Sequence, residues 1–480
     1  MEKSREHGSN KKNPKRFSVF LHRSAITALL LQNHRKMFLY EVKFLPKDMD
    51  SRTRVLRALE HKEPDRVPID LSAMHSSGIM GIAYAKLKRY LGITGGEIKV
   101  YDMCQQIVEP EEWALKRFHI DAIDIDRTLP PAYPESGIKW VDWTLPDGTP
   151  CKVPSEWYPT VVPVTVIPWK EGEGKLKLVK EDSSWALKWG DVVWKRMTKD
   201  SVYFTDVYHP LEKAESKKEI DELFDKAYDP DVRFPYVLTK EDAEALRARA
   251  KYLYENTNYA LLAGFGGNFT EAGEFLFGFS KFLSYMLLKR ELIEHLFDRL
   301  LEYYMTNLKL WVDAVKDYVQ IAVFGDDFGT QIGPKISPKI YREMVKPWAS
   351  ELYKYVKKSS NMYVFLHSCG SIYDLLPDII DAGVEVFNPV QISAKNMEPK
   401  RLKSEFGDEI TFWGGGVDTQ TVLPRGSPND VRKNVKENIE VFAPGGGFVF
   451  ATVHNIVAGV PPENIVAIYE TLEKYGNYPM

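Results

Sequence analysis

Residues 362–388 read MYVFLHSCGSIYDLLPDIIDAGVEVFN, and this stretch alternates two kinds of segment. Residues 362–366 form an apolar run typical of a buried strand. Residues 374–382 have the apolar spacing of a helix that ends at Gly383, and a second short apolar run follows directly at 384–388. Strand, helix and strand in succession predict a parallel sheet whose strands are joined by helices.

The same alternation extends from this stretch toward both ends of the chain. Helical patterns separate predicted strands near residues 67–70, 120–125, 259–264, 320–324, 362–367, 384–388, 410–413 and 448–453. Eight strands alternating with helices predict an α/β fold of the (β/α)8, or TIM barrel, type. A doubly wound open sheet is the alternative, but no G-x-G-x-x-G motif follows the first strand and no G-x-x-x-x-G-K-[ST] motif occurs.

Two parts of the chain depart from this rhythm. Residues from about 130 to 210 are rich in aromatic residues, prolines and turn signals, with a hairpin predicted around Asp147-Gly148, and they indicate a β-rich insertion after the second strand. Residues 1–47 carry 11 basic and 3 acidic side chains. We therefore predict a basic, disordered N-terminal extension over 1–48 and a barrel domain over 49–480.

Composition excludes several classes of partner. The net charge is −3, and because residues 1–47 contribute +8, the remainder carries −11 and is unsuited to nucleic acid. The apolar patch Ala25–Leu31 is far shorter than the roughly 20 residues of a membrane span. The three cysteines, Cys104, Cys151 and Cys369, are odd in number and widely separated. They predict a reducing compartment, the cytoplasm.

An imidazole and a thiol follow the strand at 362–366, two positions apart. Residues i and i+2 of a strand point to the same face, so His367 and Cys369 can converge on one point. Zinc prefers this combination of nitrogen and sulfur ligands. The alternative interpretation is a hydrogen-bonded histidine beside a buried free cysteine.

Polar residues also follow the other predicted strands, where barrel enzymes place their chemistry. We predict catalytic or histidine-orienting roles for Asp326, Asp327 and Asp70, with a loop-capping aspartate pair as the alternative for the first two. Asp124 or Asp126 ends the second strand. The residues predicted to bind substrate are Asn268, Asn388, Gln391, Asp418 and Asn455.

A catalytic zinc usually has three protein ligands and one open position. His367 and Cys369 would provide two of them, so the third must come from another strand end. His454 is the first candidate, because the eighth strand brings it across the barrel mouth, and Glu274 is the second. The alternative for His454 is a histidine that hydrogen-bonds a loop carbonyl.

Five segments together resemble one known family. They are RVLRALEHKEPDRVP at 54–68, FGDDFGTQ at 324–331, FLHSCGSI at 365–372, NPVQ at 388–391 and WGGGVDTQ at 413–420. This combination resembles the uroporphyrinogen decarboxylase superfamily from about Ser51 to Tyr475, and within it the branch of cobalamin-dependent methyltransferases, such as methylcobamide:coenzyme M methyltransferases and O-demethylases. The resemblance implies a TIM barrel and zinc. It also implies a corrinoid carried by a partner protein, and a small methyl donor or acceptor such as a methoxylated compound or a thiol.

The sequence departs from both activities of that superfamily. Its decarboxylases carry an arginine-rich motif after the first strand, whereas residues 70–78 read DLSAMHSSG and the next arginine is Arg89. Anionic carboxylates would lack their clamps, which leaves decarboxylation as the alternative activity. The zinc methyltransferases use His-x-Cys and a later cysteine, but no cysteine follows Cys369, and residues 453–455 (VHN) occupy that region. A metal-free barrel of other function is the third possibility.

Overall fold

The computed structural model describes residues 49–102, 104–125, 140–154, 176–181, 184–189, 192–198, 201, 203–225 and 238–479. These residues fall within one compact unit that spans Met49–Met480. The extension predicted over residues 1–48 and the strand-end candidate Asp126 lie outside the described residues.

The described part of the chain contains fifteen strands. In chain order they are β1 Val100–Asp102, β2 Ile107–Val108, β3 Ala122–Asp124, β4 Trp140–Thr144, β5 Pro150–Pro154, β6 Leu176–Glu181, β7 Ser184–Trp189, β8 Val192–Thr198, β9 Thr205–Asp206, β10 Ala260–Gly266, β11 Ile321–Gly325, β12 Tyr363–His367, β13 Val386–Asn388, β14 Thr411–Trp413 and β15 Phe448–Val449. Seven of them form one parallel sheet in the order β15-β14-β13-β12-β11-β10-β3.

The segment at residues 67–70 closes this sheet into a ring. On one side, the amide of Asp121, next to β3, donates to the carbonyl of Ile69 at 2.8 Å. On the other side, the amide of Asp70 donates to the carbonyl of Phe450 at 2.8 Å. The amide of Phe450 in turn donates to the carbonyl of Pro68, also at 2.8 Å. Both edges of the sheet are therefore hydrogen-bonded to the same eighth segment, and the predicted (β/α)8 barrel is confirmed.

Helices follow most of the parallel strands. In chain order the helices are α1 Ser51–Leu59, α2 Gly81–Tyr90, α3 Glu112–Arg117, α4 Lys217–Asp225, α5 Lys240–Asn256, α6 Thr270–Phe277, α7 Phe279–Leu288, α8 Arg290–Val315, α9 Pro338–Ile340, α10 Lys346–Ser359, α11 Leu376–Asp381, α12 Pro399–Phe406, α13 Val422–Arg425, α14 Pro428–Phe442 and α15 Pro462–Tyr475. None of the helices in the described ranges combines the length and hydropathy needed to cross a bilayer.

A wider helical turn precedes Pro347. Residues Tyr341–Val345 form a π-helical segment between α9 and α10. Proline at 347 has no amide proton to donate to the preceding turn, so the regular helical ladder cannot run through this point. The turn before it takes the π form instead.

Between β3 and β10 the described strands are antiparallel. The strands β4 and β5 form a hairpin around Asp147-Gly148, as predicted, and the amide of Leu145 donates to the carbonyl of Thr149 at 2.9 Å. The strands β6 to β9 form a separate four-stranded sheet. The rest of the predicted insertion lies outside the described residues.

A buried ionic network closes the end of the barrel where the strands begin. The Asp121 carboxylate is fully buried and pairs with Arg54 at 2.6 Å and with Arg66 at 2.7 Å. Arg54 lies in α1 and also pairs with Asp65 at 2.6 Å. The network therefore ties α1 to the start of β3, at the end of the barrel opposite the candidate site.

Candidate metal centre

Three ligand-type side chains meet at the C-terminal mouth of the barrel. His367 ends β12, and its Nε2 atom lies 3.3 Å from the Sγ atom of Cys369, two residues later. His454 comes from the loop after β15, and its ring lies 6.1 Å from that of His367. One ligand atom from each of the three residues lies within 4.8 Å of the others. The strand-end prediction for His367, Cys369 and His454 thus corresponds to one cluster.

The spacing of this cluster suits zinc. Tetrahedral zinc with usual Zn–N and Zn–S bond lengths holds a nitrogen and a sulfur roughly 3.5 Å apart. The 3.3 Å separation between His367 Nε2 and Cys369 Sγ is close to that value. Three donors leave one position for a substrate, the pattern of a catalytic site. Glu274, the second candidate for the third ligand, instead pairs with Lys335 at 2.6 Å.

Hydrogen bonds select the tautomer of His367. The Nδ2 group of Asn388 donates to the carbonyl of Trp413 at 2.7 Å, so its Oδ1 atom faces His367 Nδ1, at 2.6 Å. Nδ1 must therefore carry the proton, and Nε2 keeps its lone pair for the cluster. Ser76 is also 2.9 Å from Nδ1 and donates to the same oxygen of Asn388. Asn388, predicted to bind substrate, is fully buried and orients the histidine.

Burial determines the ionisation of the other two candidate ligands, His454 and Cys369. It lowers the pKa of His454 to about 4, and the nearby His367 adds to this shift. His454 is therefore neutral at physiological pH and has a lone pair to offer a metal. Burial also raises the pKa of the Cys369 thiol well above its usual range, and the Asp327 carboxylate acts in the same direction. A bound dication would reverse this by favouring the thiolate.

The two consecutive aspartates have different surroundings. Asp326 is buried and accepts the backbone amides of Phe269, Thr270 and Glu271, each at 2.9 Å, together with the Thr270 hydroxyl. Four donors occupy its oxygens, as in the capping alternative. Asp327 accepts the amide of Cys369 at 2.7 Å, and its Oδ1 atom lies 3.6 Å from His367 Nε2. Asp327 is therefore the member of the pair that lies beside the three candidate ligands.

Glu271 was missed in the sequence, although it lies in the first turn of α6. Burial, together with the charges of Asp327 and Asp326, raises the pKa of Glu271 to about 8. Its carboxyl group therefore holds a proton at neutral pH and can donate a hydrogen bond. The strand-end rule that selected Asn268 and Glu274 applies equally to Glu271, which lies between them in the chain.

The remaining candidates hold loops in place or lie apart from the cluster. Asn268 Oδ1 is 3.3 Å from the Tyr304 hydroxyl, and Gln391 accepts the amide of Gly370 at 2.7 Å. Asp418 accepts the amide of Gln420 at 2.7 Å in its own turn. The hydrogen-bond partners of Asn455 are the amide of Gly78 and the side chain of Gln105, each at 2.7 Å.

Two acidic residues that end early strands are buried. Asp70 accepts the indole N–H of Trp413 at 2.7 Å and the amide of Ala73 at 2.8 Å. Burial raises its pKa to about 6. Asp124 is the last residue of β3 and is also buried. Asp70 is therefore held between its own loop and β14.

The family follows from a sequence comparison. The model of a family described as Uroporphyrinogen decarboxylase (URO-D) matches residues 209–475, more than half of the chain. The chain belongs to the uroporphyrinogen decarboxylase family. The resemblance to this superfamily is thereby confirmed. The matched range contains all three candidate ligands, His367, Cys369 and His454. No curated protein matches this sequence at a significant level.

The chain was also compared with solved structures, and one of them shares its fold. A methyltransferase from Methanosarcina mazei aligns with 89% of this chain and 99% of its own, with a TM-score of 0.52 and 17% identity. A B12-independent methionine synthase from Shewanella sp. W3-18-1 aligns over 48% of this chain and 67% of its own, with a TM-score of 0.29 and 10% identity. A D-psicose 3-epimerase aligns over 55% and 92%, with a TM-score of 0.27 and 9% identity. The first of these shows a shared fold.

Proposed function

We propose that this protein is a zinc-dependent methyltransferase that moves a methyl group between a small substrate and a corrinoid carried by a partner protein. The observation that carries the proposal is the cluster of His367, Cys369 and His454 at the barrel mouth, with ligand atoms within 4.8 Å of one another. The fold shared with the methyltransferase from Methanosarcina mazei supports the reaction class. We place the reaction in the cytoplasm because the widely spaced cysteines favour a reducing compartment.

In this proposal the chain's own residues prepare the site. When bound, zinc acts as a Lewis acid that polarises an ether oxygen or converts a thiol into a thiolate. Asn388 and Ser76 fix His367 so that Nε2 is available, and neutral His454 offers the third donor. Asp326 fixes the first turn of α6, which places protonated Glu271 near the cluster as a hydrogen-bond donor. Asp327 lies beside the ligands as the nearest carboxylate.

Decarboxylation is the second candidate, because the matched family carries its name. That reaction on a tetrapyrrole needs cationic groups to hold several carboxylates. Residues 70–78 contain no arginine, and Asp70 is buried against Trp413. We therefore place decarboxylation behind methyl transfer, and a metal-free barrel of other function third.

Metal content of anaerobically purified protein tests the zinc centre. We expect about one zinc per chain in the wild type and its loss in Cys369→Ser and in His454→Ala. Cys151→Ser is the matched control, since Cys151 is also a buried free thiol but lies in β5, outside the cluster. This control should retain the metal.

Two other results would change the proposal. Loss of zinc in Cys369→Ser alone would move the third ligand elsewhere, with Glu274→Gln the next variant to measure. A wild type that contains no zinc would contradict the methyltransferase, and coproporphyrinogen formation from uroporphyrinogen would then be assayed. If the zinc is present, methyl transfer from candidate donors to a corrinoid, monitored by its absorbance, tests the reaction itself.

A further inference from the structure

His75 and the buried Asp102 form a pair, and the segments that carry them are hydrogen-bonded to the segments of the candidate metal site. His75 Nδ1 lies 2.8 Å from Asp102 Oδ2, and the His75 side chain is 38% exposed whereas that of Asp102 is 4% exposed. The other oxygen of Asp102 accepts the amides of Cys104 at 2.8 Å and Gln105 at 3.1 Å. The carboxylate is thus held by its own loop, and its free oxygen accepts the proton on His75 Nδ1. This arrangement leaves Nε2 of a partly exposed imidazole for proton transfer.

Two hydrogen-bonded links and one shared neighbour connect the segments of this pair to those of the candidate ligands. Ser76, the next residue after His75, is 2.9 Å from His367 Nδ1. Asn455, next to His454, links the segment that carries His75 to the loop after Asp102 through its bonds to Gly78 and Gln105. Tyr203 lies near both sites: burial raises its pKa to about 12, with further contributions from Cys369 and Asp102.

The surroundings suit an imidazole that exchanges a proton. The ring of His75 packs edge-to-face on Tyr101, with centroids 6.2 Å apart. Burial raises the pKa of Asp102, and the charge of Lys195 acts in the opposite direction. Burial also raises the pKa of the Cys104 thiol, and Asp102 adds to that rise. Lys195 is itself paired with Asp206 at 2.5 Å. The groups facing the pair are therefore Tyr101, Lys195 and Cys104, together with Tyr203.

We propose that His75, oriented by Asp102, is the general acid that protonates the leaving oxygen when the methyl donor is an ether. The inference rests on the proposed methyltransferase function. An alkoxide or phenoxide leaving group needs a proton, whereas a quaternary ammonium donor leaves as a neutral amine and needs none. A proton donated by His75 would therefore assist the departure of an ether oxygen and would not assist that of a neutral amine.

The proposed step transfers one methyl group and one proton. The bond between the methyl carbon and the ether oxygen breaks, and its electron pair stays on the oxygen. The reduced corrinoid acceptor supplies the electron pair for the new bond to the methyl carbon. The Nε2–H group of the protonated His75 gives its proton to the oxygen, which yields a neutral alcohol or phenol. The neutral imidazole regains a proton from water, and Asp102 acts as a positioning residue throughout.

The test compares leaving groups on the zinc-loaded full-length protein, with reduced cobalamin as acceptor. The donors are a series of methyl phenyl ethers, from nitro-substituted to methoxy-substituted, and tetramethylammonium. The variants are His75→Gln and Asp102→Asn. The matched control is His295→Gln, because His295 also pairs with an aspartate, Asp221, at 2.8 Å, but lies in α8. Zinc content is measured on every variant.

We expect His75→Gln to lower the rate about 100-fold for ethers with poorly acidic phenols and less than about threefold for nitro-substituted ethers. Zinc content should stay unchanged, and His295→Gln should behave as the wild type. In histidine nitrogen NMR, Asp102→Asn should reduce the Nδ1–H tautomer of His75, a readout that needs no turnover.

Other outcomes separate this inference from the proposed function. An equal loss of rate for all ethers, or loss of zinc in His75→Gln, would overturn the role of His75 and leave the methyltransferase standing. Methyl transfer from tetramethylammonium without transfer from the ethers would also overturn the role of His75 and leave the methyltransferase standing. A zinc-loaded wild type that transfers methyl from no donor would overturn both.

Discussion

The buried amide of Asn388 determines which nitrogen of His367 faces the cluster. Its Nδ2 group is committed to the Trp413 carbonyl, so only its oxygen can meet the imidazole. Partners of this kind tune metal affinity, because they hold the ring in place and increase the basicity of the ligating nitrogen. In the proposed zinc site, Asn388 would therefore affect the affinity for the metal without touching it.

We predict that Asn388→Ala weakens zinc affinity about 10–100-fold. The competition of a chromophoric chelator for the bound metal measures this change. Asn464→Ala is the control, since Asn464 is equally buried and donates to the carbonyls of Leu423 at 2.9 Å and Gly426 at 2.8 Å. It should lose stability without a change in zinc affinity; equal affinity losses in both variants would contradict the orienting role.

Asp70 gives a pH-dependent contribution to stability. Burial raises its folded-state pKa from the usual 3.8 to about 6. A raised pKa means that the folded state binds the proton more tightly, so the contribution is fully present below about pH 4 and is lost as the pH rises through about 6. The difference of about two pKa units corresponds to a change of about 3 kcal/mol in the free energy of unfolding.

Denaturant unfolding of the wild type and Asp70→Asn between pH 4 and pH 7.5 measures this contribution. The difference in free energy of unfolding, wild type minus variant, should fall by about 3 kcal/mol over that interval. A difference that stays constant with pH would show that the pKa of Asp70 is the same in the folded and unfolded states.

The helix α6 depends on a cap supplied by another strand. Asp326 follows β11 and accepts the first amides of α6, so one carboxylate joins two neighbouring βα units. Helix N-termini favour such an acceptor because their first amides lack partners within the helix. This contact also places Glu271 and Glu274, both of which lie in α6, relative to the cluster.

We predict that Asp326→Asn lowers the free energy of unfolding by about 2–3 kcal/mol, because the amide group presents hydrogens to buried N–H donors. Chemical denaturation measures it. Asp430→Asn is the control: Asp430 forms an exposed capping box with Ser427 at the start of α14, so water can replace the lost bond. If Asp326→Asn and Asp430→Asn lowered the free energy of unfolding by the same amount, the buried cap would be no more important than the exposed one.

The buried ionic network and the candidate metal site lie at opposite ends of the barrel. Asp121, Arg54 and Arg66 form a buried network where the strands begin, whereas His367, Cys369 and His454 meet where they end. Barrel enzymes generally show this division. Removing Asp121 leaves buried arginine charge without its partner, which is costly because the charge stays out of water.

We predict that Asp121→Ala lowers the free energy of unfolding by about 3 kcal/mol and leaves the zinc content of the folded protein unchanged. Thermal unfolding and metal analysis of the same preparation test both parts. Glu60→Gln removes the exposed partner of Lys62 and should change neither quantity measurably. Loss of zinc from folded Asp121→Ala would show that the two ends are coupled.

The barrel was predictable from the sequence because its signals are local. Each buried strand is a short apolar run, each helix has its own periodicity, and glycines such as Gly383 mark helix ends. The pair of His367 and Cys369 was predictable for the same reason, since two-residue spacing in an extended chain fixes a common face.

The sequence by itself determined the order of strands and helices, the His-x-Cys pair and the family. Only the tertiary structure decided that His454 joins this pair while Glu274 turns to Lys335, and that Asp326 caps a helix while Asp327 faces the ligands. It also brought His75 to Asp102 and Ser76 to His367, a contact between residues 291 positions apart. The physical reason is that periodicity fixes which face a residue occupies, whereas partners across the barrel depend on strand register and loop paths that involve the whole chain.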